Sequence, residues 1–547
     1  MLIVLTLAMV LPGLASLPVI DRDEARYVQA SVQMAESGDL LNIRFQDEAR
    51  NKKPAGIYWL QTAALKIFSA PDKRKIWVHR LPSVLGALLA VLATYWGGAK
   101  LIGRDKAFIS AALLAAALLF VFEAHIAKTD AMLCGLSACV FAALAHIRHG
   151  SPSSKAIWLF WLALGGSMMI KGPILLALLA FTMIGFAVWE KTLSWVKPLL
   201  RPLPIIVFFL VWLPWAIGIY IATDGAFFQE SLGNDLGGKL ISAQEKHPGP
   251  PGYHAGLIWV MLWPASLFLL PALAYGIKII RTKTSRETDR FKAVQLSMLW
   301  IVPFWILIEL MPTKLPHYSL PLYPAICLLI GASLSALTDT QDFKTTRFIN
   351  SILFGFASVI IIGALIYLSF THGGRQQHIA SIIMAVLCGA ACLYAIFALS
   401  KVKIKPAIIS VIIAAFILSF TGYKTILSGM SDFNTSARIA AALGDELPRH
   451  SGKALASQSY TEPSLVYHLG TDIELGQGVR PLAIDALKTG RILLIDNLSD
   501  MQKGQLTALK NLANANNFCL DISDPITGFN YSKGDAVEIY IVKHAPC

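Results

Sequence analysis

The chain of 547 residues is 55% hydrophobic and 15% charged, with a mean hydropathy of +0.58. Soluble globular domains carry about 25% charged residues, so the composition excludes that class and indicates a polytopic membrane protein. The formal net charge of +13 lies mostly in short loops between apolar segments. Such loops carry topology information, and the sequence has no nucleic-acid-binding motif, so nucleic acid is excluded as a partner.

Thirteen apolar segments predict helices that cross a bilayer, since about 20 residues span the hydrocarbon core. The segments are 2–20, 81–101, 107–123, 130–147, 156–170, 172–189, 203–222, 255–277, 294–311, 318–337, 348–370, 378–399 and 406–427. The first segment lacks the basic start of a signal peptide, so we expect an uncleaved span. The fifth and sixth are separated only around Gly172-Pro173, which favours a tight turn.

Lysine and arginine are concentrated in alternate loops between these segments, which predicts the orientation of the chain. With a cytoplasmic N-terminus, basic loops such as 278–292 lie inside. The odd number of spans then places the C-terminal domain in the periplasm. Two long loops, 21–80 and 223–254, lie outside, and the first has amphipathic stretches at 30–35 and 57–68 that predict contact with the membrane surface.

The sequence divides into a transmembrane part, residues 1–427, and a small soluble α/β domain, residues 428–547. In the soluble domain, alternating apolar residues predict strands at 491–496 and 536–542. A helical pattern predicts a helix at 501–516. Cys519 and Cys547 both fall in this domain. In an oxidising periplasm we expect them to form a disulfide, the alternative being two unpaired thiols.

Charged side chains follow the first predicted span directly, in an otherwise apolar part of the chain. Asp23 shares one helical face with Arg26 and Tyr27, and an aspartate held by an arginine can act as a general base. Glu24 is a further candidate acid, although it points about 100° away from that face. The alternative for both acids is that they only complement the dipole at a helix N-terminus.

Several other outside boundaries carry polar residues that suit an anionic lipid. Lys52 and Lys53 attract lipid phosphate or, alternatively, only snorkel to headgroups. Asp130 begins a span, where an acid either faces water or a partner or serves as a helix cap. Lys314 and His317 can both donate to an anion, the alternative being a turn shaped by the neighbouring prolines.

The second long loop contributes His247, with Glu245 as a weaker candidate. His247 could bind a divalent metal ion or a phosphate, or it could simply be exposed, because a lone histidine is not a metal site. Polar groups thus collect at several outside boundaries, whereas the inside loops hold only scattered basic residues. This pattern predicts one active site on the outer face, reached partly from the lipid.

Some of these residues form motifs that resemble a known family. The motifs are Asp23-Glu24-Ala25-Arg26-Tyr27, Lys53-Pro54 with Tyr58-Trp59, Thr129-Asp130, Lys171-Gly172-Pro173, His247 with Pro250, and Lys314-Leu315-Pro316-His317-Tyr318-Ser319-Leu320-Pro321. In this order they resemble the bacterial C-type (GT-C fold) glycosyltransferases, and within them the lipid A aminoarabinose transferases of the wider protein-mannosyltransferase-like group. The resemblance covers roughly residues 15–330.

The resemblance implies that a polyprenyl-phosphate-linked sugar is the donor and that transfer occurs outside the cell membrane. Roles carried over by position are an essential acid for Asp23, a partner or phosphate ligand for Arg26, a site-lining ring for Tyr27, the donor-phosphate ligand for Lys53, a second acid for Asp130, and a metal or phosphate contact for His247. The family has a glutamate directly before the loop lysine, and here that position is Lys52. This departure puts a metal site in doubt and favours a more anionic donor or acceptor, such as a uronic acid.

The sequence therefore predicts an inner-membrane glycosyltransferase that transfers an aminoarabinose or uronic-acid type sugar with inversion. The expected acceptor is lipid A or the core of lipopolysaccharide, a glycolipid or glycan that lies among membrane lipids. A protein O-glycosyltransferase of the same architecture is an alternative. A transporter or flippase is another, although it predicts related repeats and charges deep within spans, and a structural or sensor protein would leave the loop acids unexplained.

Overall fold

The computed structural model describes residues 1–150, 152–238, 249–282, 288–338, 343–444, 455–476, 485–486, 488–498 and 504–545. The membrane part contains helices α1 (Leu2–Val10), α2 (Asp23–Ser37), α3 (Gly56–Phe68), α4 (Ile76–Leu101), α5 (Arg104–Ala116), α6 (Leu118–Ala124), α7 (Asp130–Arg148), α8 (Ser154–Lys171), α9 (Ile174–Glu190), α10 (Pro202–Ala222), α11 (Tyr253–Met261), α12 (Leu269–Arg281), α13 (Asp289–Leu310), α14 (Tyr323–Ser333), α15 (Lys344–His372), α16 (Arg375–Ser400) and α17 (Ile404–Thr421). A π-helical segment, Gln229–Gly237, follows α10.

The predicted helical membrane architecture is confirmed, with a smaller number of full spans. Among the described residues, seven helices are long and apolar enough to cross a bilayer, or nine if each of two bent pairs counts as one span. Helices α5 and α6 meet at a bend of 62°. Helix α11 meets the segment Ala265–Arg281, which includes α12, at a bend of 113°. Each of the thirteen predicted segments contains helix, but α1 has 9 residues and α14 has 11, well short of a full crossing.

Helices α4 and α7 pack closely because glycines let their backbones approach. A Cβ on Gly86 would lie 2.5 Å from the Cα of Met132, and a Cβ on Gly135 would lie 2.5 Å from the Gly86 carbonyl oxygen. Small residues allow this kind of contact between membrane helices. The packing fixes α7, whose first residue is Asp130.

The first outside loop folds onto the membrane helices as α2, a two-residue hairpin of β1 (Arg44–Phe45) with β2 (Glu48–Ala49), and α3. Ser31 of α2 donates to the Gln61 side-chain oxygen of α3 at 2.7 Å. Ala30 and Val32 are buried by protein, which corrects the expectation that stretch 30–35 lies on the membrane. The end of α3 does expose apolar side chains, including Phe68.

The C-terminal domain is a mixed sheet with short helices. It contains β3 (Leu455–Ser457), β4 (Glu474–Leu475), β5 (Ile492–Asp496), β6 (Cys519–Ile522), β7 (Ile526–Asn530), β8 (Asp535–Ala545), α18 (Thr435–Leu443), α19 (Pro463–Leu469) and α20 (Gln505–Ala515). The strand order is β4-β3-β5-β8-β6, and β7 also pairs with β8. Only the β3 pairs with β4 and β5 are parallel. Cys519 is disulfide-bonded, and its expected partner, Cys547, lies outside the described residues.

Specific hydrogen bonds dock this domain onto the first outside loop. The backbone N–H of Ser464 donates to Asp21 Oδ1 at 2.9 Å, and the N–H of Asp21 donates to the Tyr531 hydroxyl at 2.5 Å. A second contact joins Gln46, whose side chain donates to the Ile473 carbonyl at 2.7 Å. The loop that holds the candidate acids is therefore enclosed between the membrane helices and the C-terminal domain.

Candidate active site

A cavity of about 1000 Å³ lies between the membrane helices, the two long outside loops and the C-terminal domain. Its acidic lining residues are Asp23, Asp130, Asp235 and Glu462, and its basic ones are Arg22, Arg26, Arg50, Lys52, Lys53, Lys128, Lys171 and Lys533, together with His317. A volume at the upper end of the range for ligand sites leaves room for two polar headgroups. Eight lysines and arginines against four acids make the cavity suited to anionic ligands.

Asp23 opens α2 and turns its carboxylate toward the cavity. The side chain is exposed there. Within the part of the chain that the structure describes, the carboxylate accepts no hydrogen bond and forms no ion pair. A charged oxygen left without a protein partner inside a polar cavity is available to a ligand. Asp23 is therefore the best-placed candidate for a catalytic acid or base.

Arg26 and Tyr27 lie one turn further along α2, beside an arginine that sequence reasoning missed. Arg50 donates from Nε to the Tyr58 hydroxyl at 3.2 Å and lies 5.1 Å from the centre of the Tyr27 ring. Tyr27 and Tyr58 stack with their centroids 5.2 Å apart. Burial and the neighbouring Arg50 lower the pKa of Arg26, and burial raises the pKa of Tyr27. The two guanidinium groups thus concentrate positive charge on one wall.

Lys52 and Lys53 also line the cavity, at the contact between the first outside loop and the second. Lys53 Nζ donates to Asp235 Oδ2 at 2.5 Å, and Ser231 donates to the Lys52 carbonyl oxygen at 3.3 Å. Asp235 belongs to the π-helical segment and was not predicted, since its partner is 182 residues away in sequence. The pair holds Lys53 at the cavity wall, where its ammonium group can reach a lipid phosphate.

Asp130 joins a cluster of cations at the start of α7. Its carboxylate lies 2.5 Å from Lys171 Nζ, 3.6 Å from Lys128 Nζ and 3.9 Å from His317 Nε2. Lys128 also pairs with Glu123 at 3.1 Å. Asp130 thus holds these three groups together, and with Glu123 it balances the charges of the two lysines. Asp130 and His317 both line the cavity.

The structure places Glu24 outside the cavity, which corrects its prediction as a catalytic residue. Glu24 is 1% exposed. One carboxylate oxygen accepts from Arg80 Nε at 2.9 Å and from the Ala127 N–H at 2.7 Å, and the other accepts from Arg80 Nη2 and the Ile20 N–H. All of its hydrogen-bonding capacity is used to join three chain segments. Its role is therefore structural.

Lys314 is also buried away from the cavity, contrary to its prediction as a phosphate ligand. The side chain is 4% exposed, and its ammonium group donates to the Ile308 carbonyl at 3.2 Å and to the Glu309 carbonyl. A cation near the last carbonyls of a helix is stabilising. Lys314 therefore supports the end of α13, and His317 is the residue of this turn that reaches the cavity.

The prediction of a metal at His247 lies outside the described residues. Among the residues that are described, no three His, Cys, Asp or Glu side chains come together to hold a metal ion. Lys52, at the position where the family has a glutamate, supplies only a cation. The described donors therefore form no metal site of their own, and we derive no step through one.

Comparison with known proteins supports the expected resemblance. The family model described as dolichyl-phosphate-mannose-protein mannosyltransferase matches residues 52–217. Proteins named undecaprenyl phosphate-alpha-4-amino-4-deoxy-L-arabinose arabinosyl transferase are similar in sequence. The one from Aeromonas hydrophila is 25% identical over 68% of this chain and 67% of its own length, and the one from Pseudomonas savastanoi is 24% identical over 67% and 66%. The alignments thus span about two thirds of these relatives.

Solved structures show the same fold over nearly the whole chain. ArnT from Cupriavidus metallidurans, bound to undecaprenyl phosphate, superposes with a TM-score of 0.73 at 17% identity, covering 98% of this chain and 96% of that one. The Archaeoglobus fulgidus oligosaccharyltransferase superposes with a TM-score of 0.53 at 11% identity, covering 96% and 68%. The fold is that of the C-type membrane glycosyltransferases, and the similar sequences are named as sugar transferases as well. Within that class, the chain is similar to the proteins named as undecaprenyl-phosphate aminoarabinose transferases.

Proposed function

We propose that the chain transfers a sugar from a polyprenyl-phosphate carrier to lipid A, or to the core of lipopolysaccharide, at the outer face of the inner membrane. The observation that carries the proposal is the unpaired Asp23 carboxylate inside a cavity with an excess of cations. Phosphate groups of a carrier lipid and of lipid A both suit such a lining. The name of the similar arabinosyl transferases agrees with the polyprenyl-phosphate donor of this proposal.

In the proposed reaction, the acceptor oxygen attacks the anomeric carbon as the bond from that carbon to the carrier phosphate breaks. A single displacement of this kind inverts the anomeric configuration. Negative charge develops on the departing phosphate, and preorganised cations stabilise it. Lys53, held by Asp235 at 2.5 Å, and Arg26 are the residues to which we assign this role.

Asp23 acts on the acceptor in this scheme. If the acceptor is a hydroxyl group, Asp23 takes its proton as the new glycosidic bond forms. If the acceptor is a phosphate oxygen, no base is needed and Asp23 orients the acceptor. The excess of positive charge in the cavity also fits a uronic-acid sugar, whereas the similar transferases are named for aminoarabinose.

A protein O-glycosyltransferase is the second candidate function. One observation favours it, namely the match of residues 52–217 to a family described as protein mannosyltransferases. The two candidates share the donor chemistry and differ in the acceptor. The products therefore separate them, because one reaction modifies lipopolysaccharide and the other modifies secreted proteins.

The test is the mass of lipid A and core oligosaccharide from cells that lack the protein and are complemented with wild type, Asp23→Asn or Lys53→Met. We expect wild type to add a sugar-sized mass that is absent in the deletion strain. If Asp23 serves as the base, Asp23→Asn should reduce the amount of this modified product about 100-fold or more. Glu36→Gln, on the same helix but outside the cavity, is the matched control and should retain the mass. An unchanged lipopolysaccharide in the deletion strain would refute the proposed acceptor.

A further inference from the structure

The C-terminal domain forms part of the cavity wall, although sequence analysis assigned it no role. Its cavity-lining residues are Thr461, Glu462, Pro463 and Lys533. The first three precede or begin α19, and Lys533 lies in the turn between β7 and β8. Two charged side chains of a domain outside the membrane helices therefore reach the same cavity as Asp23.

Glu462 and Lys533 differ in the hydrogen bonds that they form within the C-terminal domain. Glu462 is 4% exposed, and its Oε1 accepts a hydrogen bond from Asn530 Nδ2 at 2.9 Å. Lys533 Nζ lies 3.9 Å from the same oxygen, beyond hydrogen-bonding distance, and its side chain is 42% exposed. The carboxylate is thus fixed by Asn530, while the ammonium group keeps its donors available to a ligand.

Arg22 contacts the turn that carries Lys533 from the other side of the domain junction. Its Nη2 donates to the carbonyl oxygen of Ser532 at 2.5 Å, next to Lys533 in sequence, and its side chain lines the cavity. The backbone of Arg22 has φ 68° and ψ −96°, in a region that non-glycine residues rarely adopt. Strained backbone of this kind is concentrated at functional sites, and here it places a cation at the junction.

We infer that Arg22 and Lys533 form an anion subsite that binds a phosphate group of the acceptor glycolipid. The inference rests on the proposed function and extends it to the acceptor. Lys53, one of the residues to which the donor phosphate is assigned, is held by Asp235 of segment 229–237. Arg22 and Lys533 lie instead where the membrane part meets the C-terminal domain, as the hydrogen bond from Arg22 to the Ser532 carbonyl shows.

The subsite gives the C-terminal domain a share in acceptor selection. Glu462 positions Lys533 through an ion pair at 3.9 Å, a separation that leaves the N–H donors of the ammonium group available to a phosphate. An acceptor without a phosphate at the matching position would forgo the charged hydrogen bonds that Arg22 and Lys533 can donate. We therefore expect the enzyme to prefer the phosphorylated form of an otherwise identical acceptor.

The test uses the purified full-length protein with undecaprenyl phosphate-4-amino-4-deoxy-L-arabinose as donor and three acceptors, namely bisphosphorylated lipid A and its two monophosphorylated forms. Lys533→Ala should raise the KM for bisphosphorylated lipid A about tenfold, the effect expected for one lost charged hydrogen bond, with kcat and the donor KM unchanged. For the monophosphorylated form that lacks the phosphate bound by this subsite, Lys533→Ala should leave the KM unchanged. Lys533→Arg should restore most of the affinity.

Lys510→Ala is the matched control, because Lys510 is exposed on α20 of the same domain and does not line the cavity. An equal rise in KM for all three acceptors, a rise in the donor KM, or no change at all in Lys533→Ala would overturn the inference while the proposed function stands. If wild type transfers no sugar to lipid A, the proposed function fails. Binding of lipid A nanodiscs then decides the inference, which is overturned if Lys533→Ala binds them as tightly as wild type.

Discussion

Asp23 and Glu24 are consecutive acids at the start of α2, but one faces the cavity and the other is buried in protein. The Asp23 carboxylate faces the cavity, whereas Glu24 is enclosed by Arg80 and two backbone N–H groups. Helical geometry predicts that neighbours point in different directions, but it does not decide which of them faces the site. The contact with Arg80, 56 residues away, makes that choice.

Replacement of Glu24 should affect stability rather than chemistry. Glu24→Gln leaves the Arg80 charge buried without its partner, and breaking such a pair costs about 3 to 5 kcal/mol. We expect a clearly lower thermal unfolding midpoint in detergent. Glu36→Gln removes the half-exposed contact with Arg74 at 3.6 Å and should cost about 1 kcal/mol or less. Equal midpoints for the two variants would contradict the structural role of Glu24.

At the scale of the elements, the site depends on how α4 and α7 meet. Gly86 and Gly135 bring the two helices into backbone contact, and α7 carries Asp130 at its first turn. A displacement of α7 would therefore move the cluster of Lys128, Lys171 and His317 around that acid. The close packing of two apolar helices thus determines the position of charged groups at their ends.

Substitution of Gly86 should disrupt this arrangement. A valine there places its Cβ about 2.5 Å from Met132 Cα, and overpacking of this kind typically costs about 1 to 3 kcal/mol or more. We expect Gly86→Val to lower both the yield of monodisperse protein and the transferase activity. Gly389→Val on α16 is the control, because a Cβ at Gly389 meets nothing within 4 Å. Normal yield and activity in Gly86→Val would show that the helices can separate without loss.

The junction between α2 and the C-terminal domain should make stability depend on pH. Burial, with a contribution from Glu462, raises the pKa of Asp21 to about 7 from an ordinary 3.8. The folded protein therefore binds this proton more tightly than the unfolded chain does. The resulting stabilisation is fully present below about pH 4 and is lost as the pH rises toward 7.

Asp21→Asn, which remains neutral, should remove this part of the pH dependence. We expect the thermal midpoint of wild type to fall more between pH 5 and pH 8 than that of the variant. Asp72→Asn, an exposed acid in the same outside loop, should keep the wild-type slope. Parallel curves for wild type and Asp21→Asn would show that Asp21 does not titrate in this range.

At the scale of the whole molecule, the cavity and the C-terminal domain lie on the same side of the membrane part, because the domain contributes cavity-lining residues. The distribution of lysine and arginine predicts that this side is periplasmic. The donor sugar and the acceptor would then meet outside the cytoplasm. Orientation is thus a property that composition predicts and labelling can measure.

Single cysteines report the orientation directly. Lys510→Cys, in the C-terminal domain, should react with a membrane-impermeant maleimide in intact spheroplasts. Lys403→Cys, in the exposed turn before α17, should react only after the membranes are broken. The described native free cysteines are all buried, so the wild-type background should be low. The reverse pattern of labelling would invert the predicted topology.

The sequence by itself determined the class of protein, most of the helix positions and several cavity residues, among them Asp23, Lys53 and Asp130. Apolar length and local motifs suffice for these, because a bilayer imposes length and composition on each span separately. The number of full crossings was less predictable, since bends and short helices depend on packing against neighbours.

Only the tertiary structure decided which charged residues meet. Lys53 pairs with Asp235 across 182 positions, and the Arg22 side chain reaches Ser532 across 510. The burial of Glu24 and Lys314, the place of Arg50 in the cavity and the contribution of Lys533 follow from such contacts. Local patterns record the environment of a residue along its own helix or strand, whereas the partner of a charge is chosen by the packing of distant segments.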